Sequence, residues 1–407
     1  VLVAELLATL AVNTRHAKVA DFAVGSGGLL VAAYRRKRLL LGRALTQEDH
    51  RRFVEEELYG VDVMPFAANV AACHLALQSP QFIIDRANIA VWDSTDLRPG
   101  LKIPSVADVG LVLTGQSTLD SHVWQLKKAK GVVKLRERGT EQEIELQPLD
   151  VVMMNPPFTR QQRIPPQYKE VLSTRFNEYE SQIHGQMGYH GYFMLLADRM
   201  LKNGGRMALV LPASVLNADG FMAIRKFLAD NYEIEHIITT YQRAAFSESA
   251  QFREILLVAK KLGHKSDDMT PCAITVLKTL PQSSQEAHRL ASEMSSSLTL
   301  SQFGVVKDDE RLTVRVVSMG DIRDSADNLF RLIAFSDERL GDIWERLLKR
   351  SKGKLVKLGN YLDEIDSAPK EGVALGQMLE GGGIGFFYIH VSESRACLLY
   401  TSDAADE

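Results

Sequence analysis

Cysteine is scarce in this sequence, with three residues in a chain of 407. So few thiols exclude a disulfide framework and indicate a reducing compartment. The sequence also lacks any run approaching the roughly 18 apolar residues that a membrane helix needs, and no signal peptide is recognisable. These absences predict a cytoplasmic protein without a membrane partner.

An excess of one charge is lacking too, since 48 basic residues stand against 51 acidic ones. Net charge therefore says nothing about nucleic acid, and any DNA-binding surface must be a local patch. The apolar fraction of 45% and the charged fraction of 24% are ordinary for a globular protein. At about 150 residues per domain, the length predicts two to three domains.

Both ends of the sequence are unusual. The chain starts at Val1 rather than at methionine, so we expect the natural start to be missing. The last residues, CLLYTSDAADE from Cys397 to Glu407, match a read-through translation of a transposon-end adapter used in sequencing libraries. We expect this segment to be an artefact that packs against nothing.

Strand and helix patterns alternate along most of the chain. Short strands are predicted at 18–22, 58–63 and 89–92, with helical segments between them. After an interruption at 102–149, a continuous apolar strand at 150–154 resumes the alternation. This order predicts an α/β fold, with an open, mostly parallel, Rossmann-like sheet and helices on both faces.

Finer patterns predict three local features. Residues 133–135 and 144–146 alternate like the strands of a hairpin. Thr46 and Asp49 have the spacing of a capping box at a helix start. Cys73 is predicted to lie on the apolar face of a helix, in the core.

A glycine-rich turn, DFAVGSGG at residues 21–28, joins the first strand to a helix. Glycines there let the backbone approach a ligand closely, and the helix start offers free N–H groups. The turn alone is compatible with dinucleotide enzymes, adenosylmethionine enzymes and purely structural turns. It is not a phosphate loop, because no Gly-Lys-Ser/Thr follows.

Two acidic residues, Asp62 and Asp93, follow the second and third strands. A carboxylate at Asp62 can accept hydrogen bonds from both hydroxyls of a ribose, and one at Asp93 can accept from an adenine amino group. Ligands of open α/β sheets bind at the carboxyl edge, where these residues fall together with the glycine turn. The pattern therefore favours a nucleoside cofactor at this edge.

The tetrapeptide Asn155-Pro156-Pro157-Phe158 directly follows the buried strand. An exocyclic amino group on an aromatic ring is a poor nucleophile, because its lone pair is delocalised. The amide oxygen of Asn155 and the carbonyl of Pro156 can accept both amino hydrogens, which frees the lone pair for attack on a methyl sulfonium. The prolines add no competing N–H, and Phe158 offers a face for a flipped base, worth roughly 1–3 kcal/mol.

The turn and the tetrapeptide together resemble the amino-methylating DNA methyltransferases of the adenine-N6 group, in the motif order called gamma. The sequence is most similar to modification subunits of type I restriction systems and to fused restriction–modification enzymes, over about residues 1–260. The segment GGRMALVLP at 204–212 also resembles a family segment. The resemblance implies S-adenosylmethionine as cofactor and adenine in a specific DNA sequence as target, in a prokaryotic restriction–modification or related phage-defence system.

The resemblance also implies a role for individual residues. Catalysis would fall to Asn155, Pro156, Pro157 and Phe158, which hold the target adenine, while Phe246 packs against its other face. The cofactor-binding residues would be Asp21, Ala23, Gly25, Ser26, Gly27, Asp62, Val63, Asp93 and Ser94. Two departures are Phe22-Ala23-Val24 in place of Pro-Ala-Cys and Met64 in place of a second acid. The implied partners are DNA, a specificity subunit, and a restriction subunit or fused nuclease.

On this basis the chain divides into four parts. Residues 1–261 are the predicted methyltransferase domain with a truncated N-terminus, and 262–350 are a connecting region. Residues 351–396 are predicted to begin a target-recognition module, and 397–407 are the adapter-like segment.

Several alternatives remain at this point. Glutamine methyltransferases of release factors and some guanine-amino ribosomal RNA methyltransferases share Asn-Pro-Pro-aromatic, and cytosine-N4 enzymes share the chemistry. A cytosine carbon-5 enzyme is disfavoured because Pro271-Cys272 lies beyond the predicted catalytic sheet. A vestigial DNA-binding partner or a nicotinamide oxidoreductase would leave the tetrapeptide unexplained. No metal is expected, since His184 and His190, read as loop residues, have no cysteine or acid at ligand spacing.

Overall fold

A computed structural model describes residues 2–105, 143–240, 246, 253–300 and 302–334 of the chain. The strands are β1 (Val19–Asp21), β2 (Leu58–Asp62), β3 (Asn88–Val91), β4 (Lys102–Pro104), β5 (Glu143–Glu145), β6 (Leu149–Met154), β7 (Leu201–Pro212), β8 (Tyr232–Thr240), β9 (Glu254–Lys261), β10 (Pro271–Leu277), β11 (Gly304–Asp308) and β12 (Leu312–Ser318). The helices are α1 (Leu2–Ala11), α2 (Gly28–Leu40), α3 (Gln47–Arg52), α4 (Pro65–Ala76), α5 (Pro166–Arg175), α6 (Tyr189–Met200), α7 (Met222–Asn231), α8 (Ser284–Ser297), α9 (Met319–Asp324) and α10 (Phe330–Ala334).

Ten of these strands form one sheet, in the order β11-β12-β10-β8-β9-β7-β6-β1-β2-β3. The run from β7 through β6, β1 and β2 to β3 is parallel, and β8 is parallel to β10. Two strands run in the opposite direction: β9, which lies between β7 and β8, and β12, which lies between β10 and the edge strand β11. The predicted α/β fold with a large, mostly parallel sheet is confirmed.

Helices cover both faces of the sheet because its central strands are apolar on both sides. In β6, Val151 and Met153 belong to one core cluster, and Val152 and Met154 belong to the other. Helices α1, α2, α4 and α8 pack into the first cluster, while α6 and α7 pack into the second. This burial on both sides explains why the sequence of β6 is a continuous apolar run.

The sheet continues past residue 261, where the sequence predicts the end of the methyltransferase domain. Strand β10 pairs with β8 and with β12, so residues 271–318 add three strands to the same sheet. The predicted domain boundaries stay predictions, and residues 335–407 lie outside the described part of the chain, as does most of the interruption at 102–149.

The predicted local features have different outcomes. The capping box of Thr46 and Asp49 is confirmed at the start of α3. Strand β5 pairs with β4 through Ile103 and Ile144, while the predicted hairpin partner at 133–135 lies outside the described residues.

The prediction that Cys73 is a core residue is wrong, because Cys73 is exposed on α4. The buried side of this helix is formed by Ala68, Ala71, Ala72 and Leu75. Phe66 on the same helix is 79% exposed, so apolar residues lie on more than one side of α4 and their spacing does not define the buried face. None of the described helices combines the length and the apolar content needed to cross a membrane.

Candidate active site

Four predicted site residues lie at one edge of the sheet. Strands β6, β1, β2 and β3 are consecutive and parallel, so the residues that follow them meet at the carboxyl edge. Asp21 and Asp62 are the last residues of β1 and β2, Asp93 lies just past the end of β3, and Asn155 directly follows β6.

The glycine turn after β1 has the backbone that its sequence requires. Gly25 and Gly27 have φ angles of 51° and 86°, which L side chains rarely adopt. A Cβ at Gly27 would lie 3.0 Å from the Cα of Ala71. Gly27 therefore lets the start of α2 lie directly against α4, and the turn stays free of side chains where the helix N–H groups begin.

The carboxylate of Asp62 connects the glycine turn after β1 to the turn that follows β2. The backbone N–H of Gly25 donates to its Oδ2 at 2.9 Å, and the N–H of Met64 donates to its Oδ1 at 2.8 Å. A carboxylate offers about four lone-pair positions, so these two bonds leave acceptor capacity on both oxygens. Val63 beside it is 45% exposed and presents an apolar surface at the same edge.

Asp21 is buried beneath the turn and has an unusual protonation behaviour. Its exposed fraction is 1%, and its Oδ1 accepts from the backbone N–H of Ala23 at 3.0 Å. Burial raises the pKa of Asp21 to about 8; the Ala23 hydrogen bond opposes this rise and the charge of Asp62 adds to it. The carboxyl is therefore largely protonated at neutral pH.

Asp93 contrasts with Asp62 because its carboxylate is already fully engaged. It accepts from the backbone and hydroxyl of Thr95, from the hydroxyl of Tyr168, and from Arg175 at 2.5 Å. Burial raises the pKa of Asp93, but the hydrogen bond and charge of Arg175, together with the hydrogen bonds from Thr95, outweigh that effect and hold the pKa below its usual value. The hydroxyl of Ser94 donates to the carbonyl of Phe22 at 2.6 Å, which ties this turn to the glycine turn.

Two residues that contact Asp93, Tyr168 and Arg175, are not predicted by the sequence. Both lie on α5, which begins shortly after the tetrapeptide, and Arg175 is 82 positions from Asp93 in the chain. No local pattern points to such a contact. The only sequence feature that points to Arg175 is that it is a basic residue in the segment after the predicted catalytic loop.

The tetrapeptide lies on the surface at the end of β6. Asn155 and Pro157 are exposed, Pro156 is buried, and Phe158 is half-buried. The backbone N–H of Tyr189 donates to the carbonyl of Thr159 at 2.9 Å, so the start of α6 holds the segment that follows the tetrapeptide. The amide of Asn155 is thus presented to solvent from a rigid strand end.

The buried ring of His190 packs against the ring of Phe158, a contact that the sequence did not indicate. Its ring meets the ring of Phe158 edge to face at 6.1 Å and stacks on Phe221 at 4.8 Å. The sequence predicts a loop at His190, whereas this residue lies buried in α6. Burial lowers its pKa to about 4, so the imidazole is neutral.

Phe246 packs against the same core cluster as Phe158, and its backbone N–H donates to Glu254 at 3.1 Å. Its assignment to the second face of the target base stays a prediction. Among the described residues, no group of three or more histidines, cysteines or acids has the arrangement of a metal site.

Comparison with protein families agrees with this arrangement. Residues 56–246 match the model of the Eco57I restriction-modification methylase family. The matched range includes Asp62, Asp93 and the tetrapeptide. Over 117 residues the chain is 28% identical to the type II methyltransferase M.BanIII of Aneurinibacillus aneurinilyticus, which is 29% of this chain and 19% of that protein.

Solved structures share the fold. A type IIG restriction endonuclease, BpuSI, superposes with a TM-score of 0.53 and 16% identity, over 84% of this chain and 32% of that one. A chain from a type I restriction–modification system gives a TM-score of 0.52 and 14% identity, over 86% of this chain and 64% of that one. The resemblance to restriction–modification methylases is confirmed, and the chain spans about a fifth of the length of the curated relative it matches.

Proposed function

We propose that this chain is the methylase part of a restriction–modification or related phage-defence system. It transfers a methyl group from S-adenosylmethionine to the N6 amino group of adenine in a specific DNA sequence. The observation that carries the proposal is the exposed Asn155 at the end of buried β6, on the same sheet edge as Asp62 and Asp93.

The residues at this edge fit an adenosylmethionine cofactor. Asp62 retains acceptor capacity for the two ribose hydroxyls, and the exposed Val63 offers an apolar surface for a purine ring. Gly25 and Gly27 keep the turn free of side chains that would block close approach. When bound, the cofactor supplies a methyl group on a positively charged sulfur.

The tetrapeptide supplies what the target base needs. The Asn155 amide oxygen and the Pro156 carbonyl accept the two amino hydrogens, which leaves the nitrogen lone pair available for attack. Phe158 stacks on the flipped base, which offsets part of the few kcal/mol spent on unstacking it. The rings of His190 and Phe221 behind Phe158 keep that stacking face in place.

DNA is the proposed partner of the exposed tetrapeptide. Relatives with this fold include a type IIG restriction endonuclease and a type I restriction–modification system. We therefore extend the proposal to a specificity subunit and to a restriction subunit or fused nuclease. Base readout requires groove contacts by such a recognition module, because phosphate contacts carry no sequence information directly.

The identity of the product tests the function. DNA incubated with the full-length enzyme and methyl-labelled cofactor is digested and its nucleosides are analysed by mass spectrometry. We expect the label in N6-methyladenine. Label in N4-methylcytosine would show that the protein is a cytosine-N4 methyltransferase instead. Label only in protein glutamine or in RNA guanine would refute the assignment of DNA as the substrate.

Substitution Asp62→Ala tests the cofactor site. We expect affinity for S-adenosylhomocysteine to fall by roughly 1–3 kcal/mol, because hydrogen bonds to a charged acceptor are lost. Titration calorimetry measures the effect. Asp85→Ala is the matched control, since Asp85 is exposed, pairs with Arg51 and precedes β3 at the opposite edge of the sheet. Equal affinity in the Asp62→Ala variant and the wild type would remove Asp62 from the site.

A further inference from the structure

The carboxylate of Asp93 has no acceptor position left. Thr95 donates to Oδ1 from its backbone at 3.1 Å and from its hydroxyl at 2.8 Å. The Tyr168 hydroxyl lies 3.1 Å from Oδ1 and 3.0 Å from Oδ2, and an Arg175 guanidinium nitrogen lies 2.5 Å from Oδ2. Four donors match the roughly four lone-pair positions of a carboxylate. Any ligand amino group that binds Asp93 must therefore displace one of them.

The four donors differ in how easily they can leave. Thr95 lies two positions after Asp93, in the same turn, and is fully buried. Arg175 donates at the same time to the Thr95 hydroxyl at 2.6 Å and is paired with Asp96 at 3.4 Å. Its bond to Asp93 joins opposite charges, which makes it the strongest of the set.

Tyr168 is the donor that can be exchanged. Its single O–H faces the two oxygens of Asp93 at the long end of the hydrogen-bond range, and the hydroxyl also lies 3.2 Å from that of Thr95. A second partner is already in place, because the hydroxyls of Tyr168 and Tyr189 lie 3.1 Å apart. The phenol can therefore turn to Tyr189 without being left unsatisfied. Because the phenol oxygen is fixed to its ring, the Tyr168 ring moves with the hydroxyl toward Tyr189 in this exchange.

We propose that the Tyr168 hydroxyl occupies the position on Asp93 that the adenine amino group of the cofactor takes, and that cofactor binding displaces it toward Tyr189. Arg175 stays in place and keeps Asp93 an acceptor. The subsite then selects a purine with an amino group at position 6 over one with a carbonyl there, because a carbonyl oxygen would face a carboxylate. This inference rests on the cofactor assigned in the proposed function.

The displacement also connects the cofactor site to the catalytic segment. Tyr168 and Arg175 of α5 both donate to Asp93, and α5 begins eight positions after Phe158 in the chain. Tyr189, which receives the displaced hydroxyl, is the residue whose backbone holds Thr159. The residues that respond to the cofactor are thus joined to the segment that follows Phe158.

The test compares the binding of two ligands by titration calorimetry on the full chain. The ligands are S-adenosylhomocysteine and its 6-oxo analogue, S-inosylhomocysteine. The variants are Tyr168→Phe, which removes the competing hydroxyl and keeps the ring, and Tyr179→Phe as the control. Tyr179 donates to Asp198 at 2.6 Å, outside the site. Thermal melting of each variant verifies that it is folded.

We expect Tyr168→Phe to bind S-adenosylhomocysteine about three- to tenfold more tightly than the wild type, since one weak hydrogen bond no longer has to be broken. The 6-oxo analogue should bind at least about tenfold more weakly to the wild type and gain nothing from the substitution. Tyr179→Phe should bind both ligands as the wild type does.

Three results would overturn the inference. Unchanged or weaker S-adenosylhomocysteine binding by folded Tyr168→Phe would exclude the exchange, while the proposed function would stand. An equal gain for both ligands would show that the amino group is not what replaces the hydroxyl. If the wild type bound neither ligand, the cofactor assignment of the proposed function would itself fall.

Discussion

Substitution Asn155→Ala is expected to lower the rate of methyl transfer by on the order of 10²–10³-fold, the loss typical for removing one preorganised group aimed at a reacting centre. Asn155 is exposed at the end of β6 and contacts the target amino group rather than the cofactor in the proposed arrangement. Affinity for S-adenosylhomocysteine should therefore remain nearly that of the wild type. Single-turnover methylation and titration calorimetry measure the two quantities.

Asn203→Ala is the matched control for Asn155→Ala. Asn203 is an exposed asparagine near the start of β7, at the opposite edge of the sheet. We expect its substitution to leave both rate and affinity unchanged. A full methylation rate in folded Asn155→Ala protein would contradict the role of the tetrapeptide, and a parallel loss of cofactor binding would indicate a structural effect instead.

Substitution Asp21→Asn is expected to stabilise the fold increasingly as the pH rises. The pKa of Asp21 is about 8 in the folded chain against an ordinary value of 3.8. Below pH 4 the carboxyl is protonated in both states, so it does not oppose folding. Between those values the unfolded chain ionises and the folded chain does not, so wild-type stability falls by about 1.4 kcal/mol per pH unit. The neutral amide removes this loss and can still accept from Ala23.

Urea unfolding at pH 5 and pH 8 measures this prediction as the difference between the variant and the wild type. The comparison is Asp49→Asn, which we expect to destabilise the fold by the same amount at pH 5 and at pH 8. Hydrogen bonds from Arg43 hold the pKa of Asp49 well below its usual value, so its charge stabilises the fold above pH 4 and loses that effect on acidification. An Asp21→Asn variant with the same advantage at both pH values would show that Asp21 is ionised in the folded chain.

The sheet edge and its acidic and glycine residues could be predicted from the sequence. Strand and helix patterns alternate clearly, and parallel strands necessarily bring their carboxyl ends together, so Asp21, Asp62, Asp93 and Asn155 could be placed at one edge. The tetrapeptide could be recognised because its amide, carbonyl and aromatic groups are those needed to hold an exocyclic amino group and to stack on its base. These inferences need only local sequence and the direction of the strands.

The side chains that contact the residues at this edge could not be predicted from the sequence. Whether Asp93 is free or saturated depends on Arg175, a contact between side chains 82 positions apart that leaves no periodic trace. The burial of His190 depends on Phe221, which belongs to a different element. The three strands after residue 261 were missed because prolines and serines around them mask a short apolar run, Cys272–Leu277, which is fully buried.

The pairing of β1 with β6 has a consequence for how the chain folds. Val19 pairs with Val151, so these two interior strands of the sheet are brought together by closing a loop of more than a hundred residues. Such long-range parallel pairing forms slowly, because the chain loses the entropy of the closed loop before the contacts between the strands can stabilise it. During synthesis, β1 keeps an unpaired edge until β6 has left the ribosome. A nascent or truncated chain that ends before Leu149 therefore exposes an apolar edge strand, which is a site for aggregation.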